Sequence, residues 1–459
     1  MNDLPIPQDR VRRRTRVQNS LSNLRLQIEY VPPDALRANS RRLRKADKRL
    51  SEHLRPSIQR FGIVLPIIID SDGVILHGHE IAAAAQEIGL SEVPTIRIEH
   101  LTSEEVRALR IALHKLSELS SWDEVVLKSE LEFLIDFDFE LASFTGFSSA
   151  EFDVILNDTS VGEDDLPAPS SVTISQVGDV WLFEGGHKLA CLDALSNVSY
   201  LALMAGELAG LVICDSPYNC KIAGNVTSRS CAREFPMASG EMSSSEFTEF
   251  LRAVFALLAQ HSRAGSLSYQ FMDWRHIAEM LQAGHSVYSS LLNLCVWAKT
   301  NGGMGSMYRS AHELCFVWKL GDEAHVNNVQ LGKHGRNRTN VWSYPGANVP
   351  QRGSSKGGEE HVTPKNVAMV QDAILDASNR GDIVLDVFAG SATTLVGAHR
   401  AKRRGFGMEL DPVYVDLGVR RLERVTGAPA VHVETGLTFA QLTTERATAA
   451  FHPARERRR

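Results

Sequence analysis

The sequence predicts an α/β chain, in which a parallel sheet presents polar residues at its strand ends and a smaller α/β unit precedes it. Three stretches carry this expectation. Leu211-Val212-Ile213-Cys214 is an apolar run that stops at the polar turn Asp215-Ser216-Pro217-Tyr218-Asn219. Such a run reads as a buried parallel strand delivering its C-terminal end to a cleft, where open α/β sheets bind ligands. Ile383-Val384-Leu385 runs into Asp386-Val387-Phe388-Ala389-Gly390-Ser391-Ala392-Thr393-Thr394, followed by a helical stretch from Leu395 to Arg403 and the strand Gly405 to Met408, which ends in Glu409. A strand, a small-residue turn, a helix and a second strand ending in an acid form a nucleotide-binding βαβ unit. Its tight turn admits a ligand to the backbone and its acid suits ribose hydroxyls. In the first third, Leu54 to Phe61 reads as a helix closed by Gly62, and Ile63 to Asp70 and Val74 to Leu76 as strands around the turn Ser71-Asp72-Gly73. An alanine-rich helix then opens at His77-Gly78-His79-Glu80 and ends near Gly89, before a strand from Val93 to Ile98.

The chain divides by composition. Residues 1–20 form a basic tail and 21–115 the small α/β unit. Residues 116–159 are helical in pattern, and Phe144 to Glu151 carries the turn-and-cap grammar of either a helix-turn-helix element or a plain helical connector. Residues 160–170 are acidic, contain prolines and lack periodicity, as a linker does. The larger unit spans 171–435; within it Gly178 to Phe183 reads as a strand and Gly185-Gly186-His187 as a hairpin turn. Residues 327–360, rich in Gly, Asn, Ser and Arg, are too long for a routine connection, which favours a functional loop. A helix-capable tail, 436–459, follows.

With 459 residues, 43% hydrophobic and 23% charged, the chain has ordinary globular composition and room for two or three domains. No apolar run has the length to span a bilayer, and the charged N-terminus lacks an apolar signal core, so the expected location is cytoplasmic. Six cysteines without a C-x-x-C pair are expected as reduced thiols, and His77 and His79 lack a third ligand nearby, so no metal is expected. The net charge of −6 conceals basic stripes at Arg10 to Arg16, Arg41 to Lys48, Lys333 to Arg338 and Arg455 to Arg459. Local stripes rather than net charge set the field a phosphate backbone feels.

Asp215-Ser216-Pro217-Tyr218 followed by Asp386 to Thr394 resembles, in this order, the β group of the amino-methyltransferases of DNA. That family carries Asp/Asn/Ser-Pro-Pro-Tyr/Phe and then Asp-x-Phe-x-Gly-Ser-Gly-Thr, so the chain departs at Ser216 and Ala392, each still small. His361-Val362-Thr363-Pro364-Lys365 looks like the family's His-Pro-Thr-x-Lys, and Gly407 to Tyr414 like its Gly-x-Glu…Tyr stretch. Trp297-Ala298-Lys299 and Tyr308 to Glu313 resemble the segments that wall the base pocket. The resemblance, over residues 171 to 427, implies a Rossmann-like methyltransferase sheet using S-adenosyl-L-methionine. It implies a catalytic segment of Asp215, Ser216, Pro217 and Tyr218 and a cofactor pocket lined by Asp193, Lys365, Asp386, Phe388, Gly390, Ser391, Thr393 and Glu409. The partner it implies is double-stranded DNA, with no membrane, and a homodimer is left open. The recognition loop lies near 321–360, so Lys333, Arg336 and Arg338 are the expected phosphate contacts. An acid at the first motif position points to the N6 amine of adenine, with the N4 amine of cytosine as the alternative. Residues 57–96 resemble the ParB/sulfiredoxin-like domain, although Glu80 and Ile81 replace its phosphate-binding arginines. A ParB-like DNA-binding or partition protein with a vestigial methylase domain is the rival from another class.

Overall fold

The computed structural model describes residues 25–44, 48–119, 122–138, 141–142, 144–156, 167, 172–220, 238, 240–300, 302, 307–329, 336–346 and 365–451. The chain forms two compact units, Met1–Ser148 and Ser149–Arg459.

The first unit carries a four-stranded sheet of β1 (Ile28–Val31), β2 (Ile67–Asp70), β3 (Ile75–His77) and β4 (Val93–Ile98) in the order β1-β4-β2-β3. β2 is shorter than the expected strand from Ile63, because Pro66 has no N–H for the ladder and Val64 and Leu65 stay exposed. The helix Lys48–Phe61 closes at Gly62 with φ +75, and the alanine-rich helix runs over His79–Glu87. Ile67, Ile69, Ile75, Ala82, Ala85 and Val93 form its small core. β1, pairing antiparallel with β4, was absent from the sequence expectation.

The second unit is built on ten strands: β5 (Val180–Phe183), β6 (His187–Cys191), β7 (Ala209–Cys214), β8 (Ser262–Met272), β9 (Ser290–Ala298), β10 (His312–Lys319), β11 (Val341–Ser343), β12 (Ile383–Asp386), β13 (Arg404–Glu409) and β14 (Val431–His432). Their order is β11-β9-β10-β8-β7-β12-β13-β6-β5-β14. The central strands β8, β7, β12, β13 and β6 are parallel. Alternate residues of β7 serve opposite faces. Val212 and Cys214 pack with Phe247, Leu251 and Val254 of the helix Ser244–Gln260, whereas Leu211 and Ile213 pack with Val370 and Ile374 of the helix Val367–Ala377. A strand covered on both faces needs a continuous apolar run, which is what 209–214 supplies. From β7 the chain proceeds through the helix Ser244–Gln260 to β8 on one side, and from β12 through the helix Thr393–Arg400 to β13 on the other. The sheet therefore reverses its winding between β7 and β12 and opens a crevice at their carboxyl ends.

Two stretches outside the expected boundaries of the large unit belong to its core. The helix Ser149–Leu156 places Asp153 against Arg403, whose side chain is fully buried, with Arg403 Nη2 2.7 Å and Nη1 3.0 Å from the carboxylate. Arg380 approaches the same carboxylate at 3.0 Å. At the other end, the expected tail contains the helix Phe439–Phe451, whose Phe439 and Leu442 are buried beside Trp181 and whose Arg446 donates to Asp179 at 2.9 Å. Residues 160–166 and 168–170 of the expected linker lie outside the described residues.

Candidate active site

Four parallel strands end side by side in acids or acid-bearing turns: β6 before Asp193, β7 before Asp215, β12 in Asp386 and β13 in Glu409. Glu409 lies in register with Cys191, and its carbonyl accepts from Leu192 N–H at 3.1 Å, which sets Asp193 beside it at the sheet edge. Asp193 itself caps its own turn, accepting from Leu195 N–H at 2.9 Å.

The turn after β12 is held from inside. Asp386 accepts from Phe388 N–H at 3.0 Å and from the Thr394 hydroxyl at 2.6 Å. Glu409 accepts from Gly390 N–H at 3.0 Å and from Asp411 N–H at 2.8 Å, so one carboxylate ties the turn after β12 to the turn after β13. Gly390 takes a positive φ of +49 with open space where a side chain would sit, leaving the backbone approachable. Gly405 in β13 is required for a different reason: a Cβ there would lie 2.8 Å from the Leu395 backbone, so only glycine lets the preceding helix, Thr393–Arg400, sit this close. Ala392 occupies a left-handed position, φ +63, where the resembled family has glycine, at a cost of about 1–2 kcal/mol. Ser391 and Thr393 each accept from buried Arg421, at 3.2 and 3.0 Å, which fixes both side chains while each hydroxyl keeps its proton to donate. Phe388 is half-buried, its ring 6.2 Å from that of Phe250.

Burial pushes the Asp386 carboxyl up to about 7, and the charges of Asp215 and Glu409 add to the rise against the hydrogen bonds from Thr394 and Phe388. Burial raises Glu409 as well. For Asp386 the folded chain binds the proton more tightly than the unfolded chain, whose value is near 3.8. Its contribution to stability is thus present at low pH and is lost as pH rises from about 4 through about 7. Urea melts of Asp386→Asn between roughly pH 5 and pH 8 should show a smaller loss of stability with rising pH than the parent; an equal slope would remove Asp386 as its source.

The other bank of the crevice is a charged cluster. Tyr218 donates its hydroxyl to Asp215 Oδ1 at 2.7 Å and lies 3.2 Å from Glu313 Oε2. Lys365 Nζ lies 2.7 Å from Asp215 Oδ2, 2.8 Å from Glu313 Oε2 and 3.1 Å from the Tyr218 oxygen. Lys299 Nζ reaches Glu313 Oε1 at 2.5 Å. Burial alone would raise the Glu313 carboxyl, but Lys365 and Lys299 hold it down to about 2. Burial would likewise lower Lys365, yet Asp215 and Glu313 hold it above the usual lysine range. Burial and the two neighbouring carboxylates push the Tyr218 hydroxyl well above its ordinary value, so it remains a donor. The Ser216 hydroxyl is buried and makes no hydrogen bond.

Lys365, expected to line the cofactor pocket, thus contacts Asp215, Tyr218 and Glu313 in this structure. Of the expected phosphate contacts, Lys333 lies outside the described residues. Arg336 and Arg338 point inward instead: Arg336 bonds Asp376 at 2.7 Å and Asp372 at 3.2 Å, and Arg338 bonds Asp372 at 2.8 Å and Asp376 at 2.7 Å. Asp372 and Asp376 sit one turn apart on the helix Val367–Ala377 and neutralise both guanidiniums, so these arginines staple their segment to that helix. Thr394 and Arg421 were missed as supports of the cofactor turn. Thr394 stood in the expected turn as a small residue, but nothing local marked Arg421. Among the described residues no group of three or more His, Cys, Asp or Glu side chains is arranged to hold a metal ion, and no helix is long and apolar enough to cross a membrane. The five described cysteines are free thiols.

Comparison with known proteins places this arrangement. Residues 209–420 match the DNA methylase family of the N6/N4 type. DNA adenine methyltransferase YhdJ of Escherichia coli is 39% identical over 97 residues, 21% of this chain and 32% of the relative, so the match spans about a third of that protein. Type II methyltransferase M.HpaI of Haemophilus parainfluenzae is 23% identical over 52% of this chain and 74% of its own length. A putative DNA modification methylase from Thermus thermophilus, solved with S-adenosyl-L-methionine, is 18% identical, with 55% of this chain and 96% of that one covered and a TM-score of 0.37. The matched segment begins at the first residue of β7 and runs into the helix after β13, so it contains Asp215, Tyr218, Lys365, Asp386 and Glu409. Over residues 209–420 the chain carries a DNA methylase domain of the N6/N4 family.

Proposed function

We propose that this chain transfers the methyl group of S-adenosyl-L-methionine to the exocyclic N6 amine of adenine in double-stranded DNA. The observation that carries the reading is the adjacency, at the switch point of the sheet, of an acceptor carboxylate on β7 and the nucleotide-type turn between β12 and β13. The residues around that turn suit the cofactor. Gly390 leaves backbone open, and each Glu409 oxygen, having accepted one backbone amide, keeps a lone pair for a ribose hydroxyl. When bound, the cofactor supplies an electrophilic methyl group on a sulfonium.

The chain's own task is to make an aryl amine nucleophilic. The lone pair of such an amine is delocalised into its ring, so two acceptors must hold the amine hydrogens and draw the nitrogen toward tetrahedral geometry. Asp215 and the backbone carbonyl of Ser216 are those acceptors, and Pro217, without an N–H, offers no competing donor. The target base has to leave the duplex stack to reach them, with the Tyr218 ring as a stacking surface. Rate then comes from alignment and from a fixed field. The adenine assignment rests on the acid at position 215 and on the 39% identity over 97 residues to the DNA adenine methyltransferase YhdJ.

Two measurements test the reading. Tritiated methyl groups should pass from the cofactor to duplex DNA in the presence of the full chain, and no transfer would overturn it. Glu409→Ala should weaken cofactor binding, read by calorimetry, by roughly 1.5–3 kcal/mol for a lost hydrogen bond to a charged acceptor; an unchanged dissociation constant would remove the ribose role.

A further inference from the structure

Resting on the methyl-transfer reading, we infer that Lys365 is a positioning residue for the amine acceptor Asp215, anchored in turn by Glu313 and Lys299. Asp215 retains 34% side-chain exposure and can meet a substrate, whereas Lys365 is 10% exposed and Glu313 13%. Lys365 therefore acts through Asp215. Two protein donors fix the plane of the Asp215 carboxylate, the Tyr218 hydroxyl on Oδ1 and the Lys365 ammonium on Oδ2, both at 2.7 Å. Each oxygen keeps lone-pair capacity for an amine hydrogen, and with both oxygens tethered the carboxylate cannot rotate away from it.

The supporting charges are arranged to keep this ammonium in place. Lys365 lies within 6 Å of the Tyr218, Phe271 and Trp297 rings, at 5.3, 5.2 and 5.9 Å, an aromatic collar that favours a cation. Glu313 holds Lys365 at 2.8 Å and is itself held by Lys299, so two carboxylates and two ammoniums balance in charge. Without Lys365, Asp215 and Glu313 would face each other across a common hydroxyl with one positive charge fewer, and like charges at that range move apart. The position of Asp215 would change while the Asp386–Glu409 turn, which shares no hydrogen bond with Lys365 in the structure, would not.

The test compares wild type, Lys365→Met, Lys365→Arg and Glu313→Gln in the full chain, with unmethylated bacterial genomic DNA and tritiated S-adenosyl-L-methionine. Lys365→Met should lower kcat by about 100-fold, as a misplaced catalytic group does, with the calorimetric Kd for the cofactor and the KM for DNA unchanged. Lys365→Arg, which keeps the charge, should recover part of kcat. If Lys365→Met does not fold, Glu313→Gln carries the test: it removes the anchoring charge and should also lower kcat at constant cofactor affinity. A loss of cofactor affinity in proportion to activity would make Lys365 a cofactor ligand and overturn the inference, as would a wild-type kcat in the variants. An inactive wild type would overturn the methyl-transfer reading as well, whereas active wild type with unaffected variants would overturn this inference alone.

Discussion

Asp215→Ala is expected to all but abolish methyl transfer, with a loss of about 10²–10³-fold, the range for removing one preorganised hydrogen-bonding group from an active site, while cofactor affinity stays nearly unchanged. The carboxylate lies on the opposite bank of the crevice from the Gly390–Glu409 link and shares its hydrogen bonds with Tyr218 and Lys365 only among the contacts described. Asp215→Asn should retain part of the activity, because its amide oxygen still accepts a hydrogen. Single-turnover transfer and calorimetric titration separate the two effects. Parallel loss of both would mean that Asp215 serves the cofactor and not the amine.

The largest expected effect on stability lies far from the crevice. Asp153→Ala should destabilise the large unit by about 3–5 kcal/mol, the cost of leaving a buried charge without its partner. Arg403 has no solvent-exposed side-chain surface and directs two nitrogens at Asp153, with Arg380 on the same carboxylate. The remaining Arg403 contacts, to the Ser378 hydroxyl at 3.0 Å and to the Ser378 and Ala401 carbonyls, are neutral and cannot replace a charge. A truncation beginning at Ser149 should consequently fold, and one beginning after residue 160 should be weakened by a similar amount. Urea melts of both read this out, and a difference under about 1 kcal/mol would contradict a buried ion pair of this weight.

The sheet was legible wherever a local pattern had only one physical use. The runs at 211–214 and 383–385 are apolar on every residue because β7 and β12 are covered on both faces, and each ends in an acid because its carboxyl end faces the crevice. The hairpin at Gly185-Gly186 was legible because both residues need positive φ, which they take at +78 and +76. What could not be read locally was pairing over distance. Asp153 and Arg403 are 250 positions apart, and nothing around either marks the other. The arginines at 336 and 338 read as a free basic patch because their neutralising partners, Asp372 and Asp376, are one helical turn apart on an element formed later in the chain. Lys365 carried a motif position but not a direction; only the packing of 365 against β7 and β10 shows that it meets Asp215 and Glu313. The Phe439–Phe451 helix was recognisable as helix-capable, yet its docking depends on Trp181 and Asp179, far upstream.

Product identity tests the central claim most directly. Duplex DNA lacking modified bases is incubated with the full chain and S-adenosyl-L-methionine, digested to nucleosides and analysed by mass spectrometry. N6-methyladenine is the expected product, and it should be absent when Asp215→Ala replaces the wild type; N4-methylcytosine without N6-methyladenine would contradict the assignment of the amine, and no methylated nucleoside at all would contradict the function.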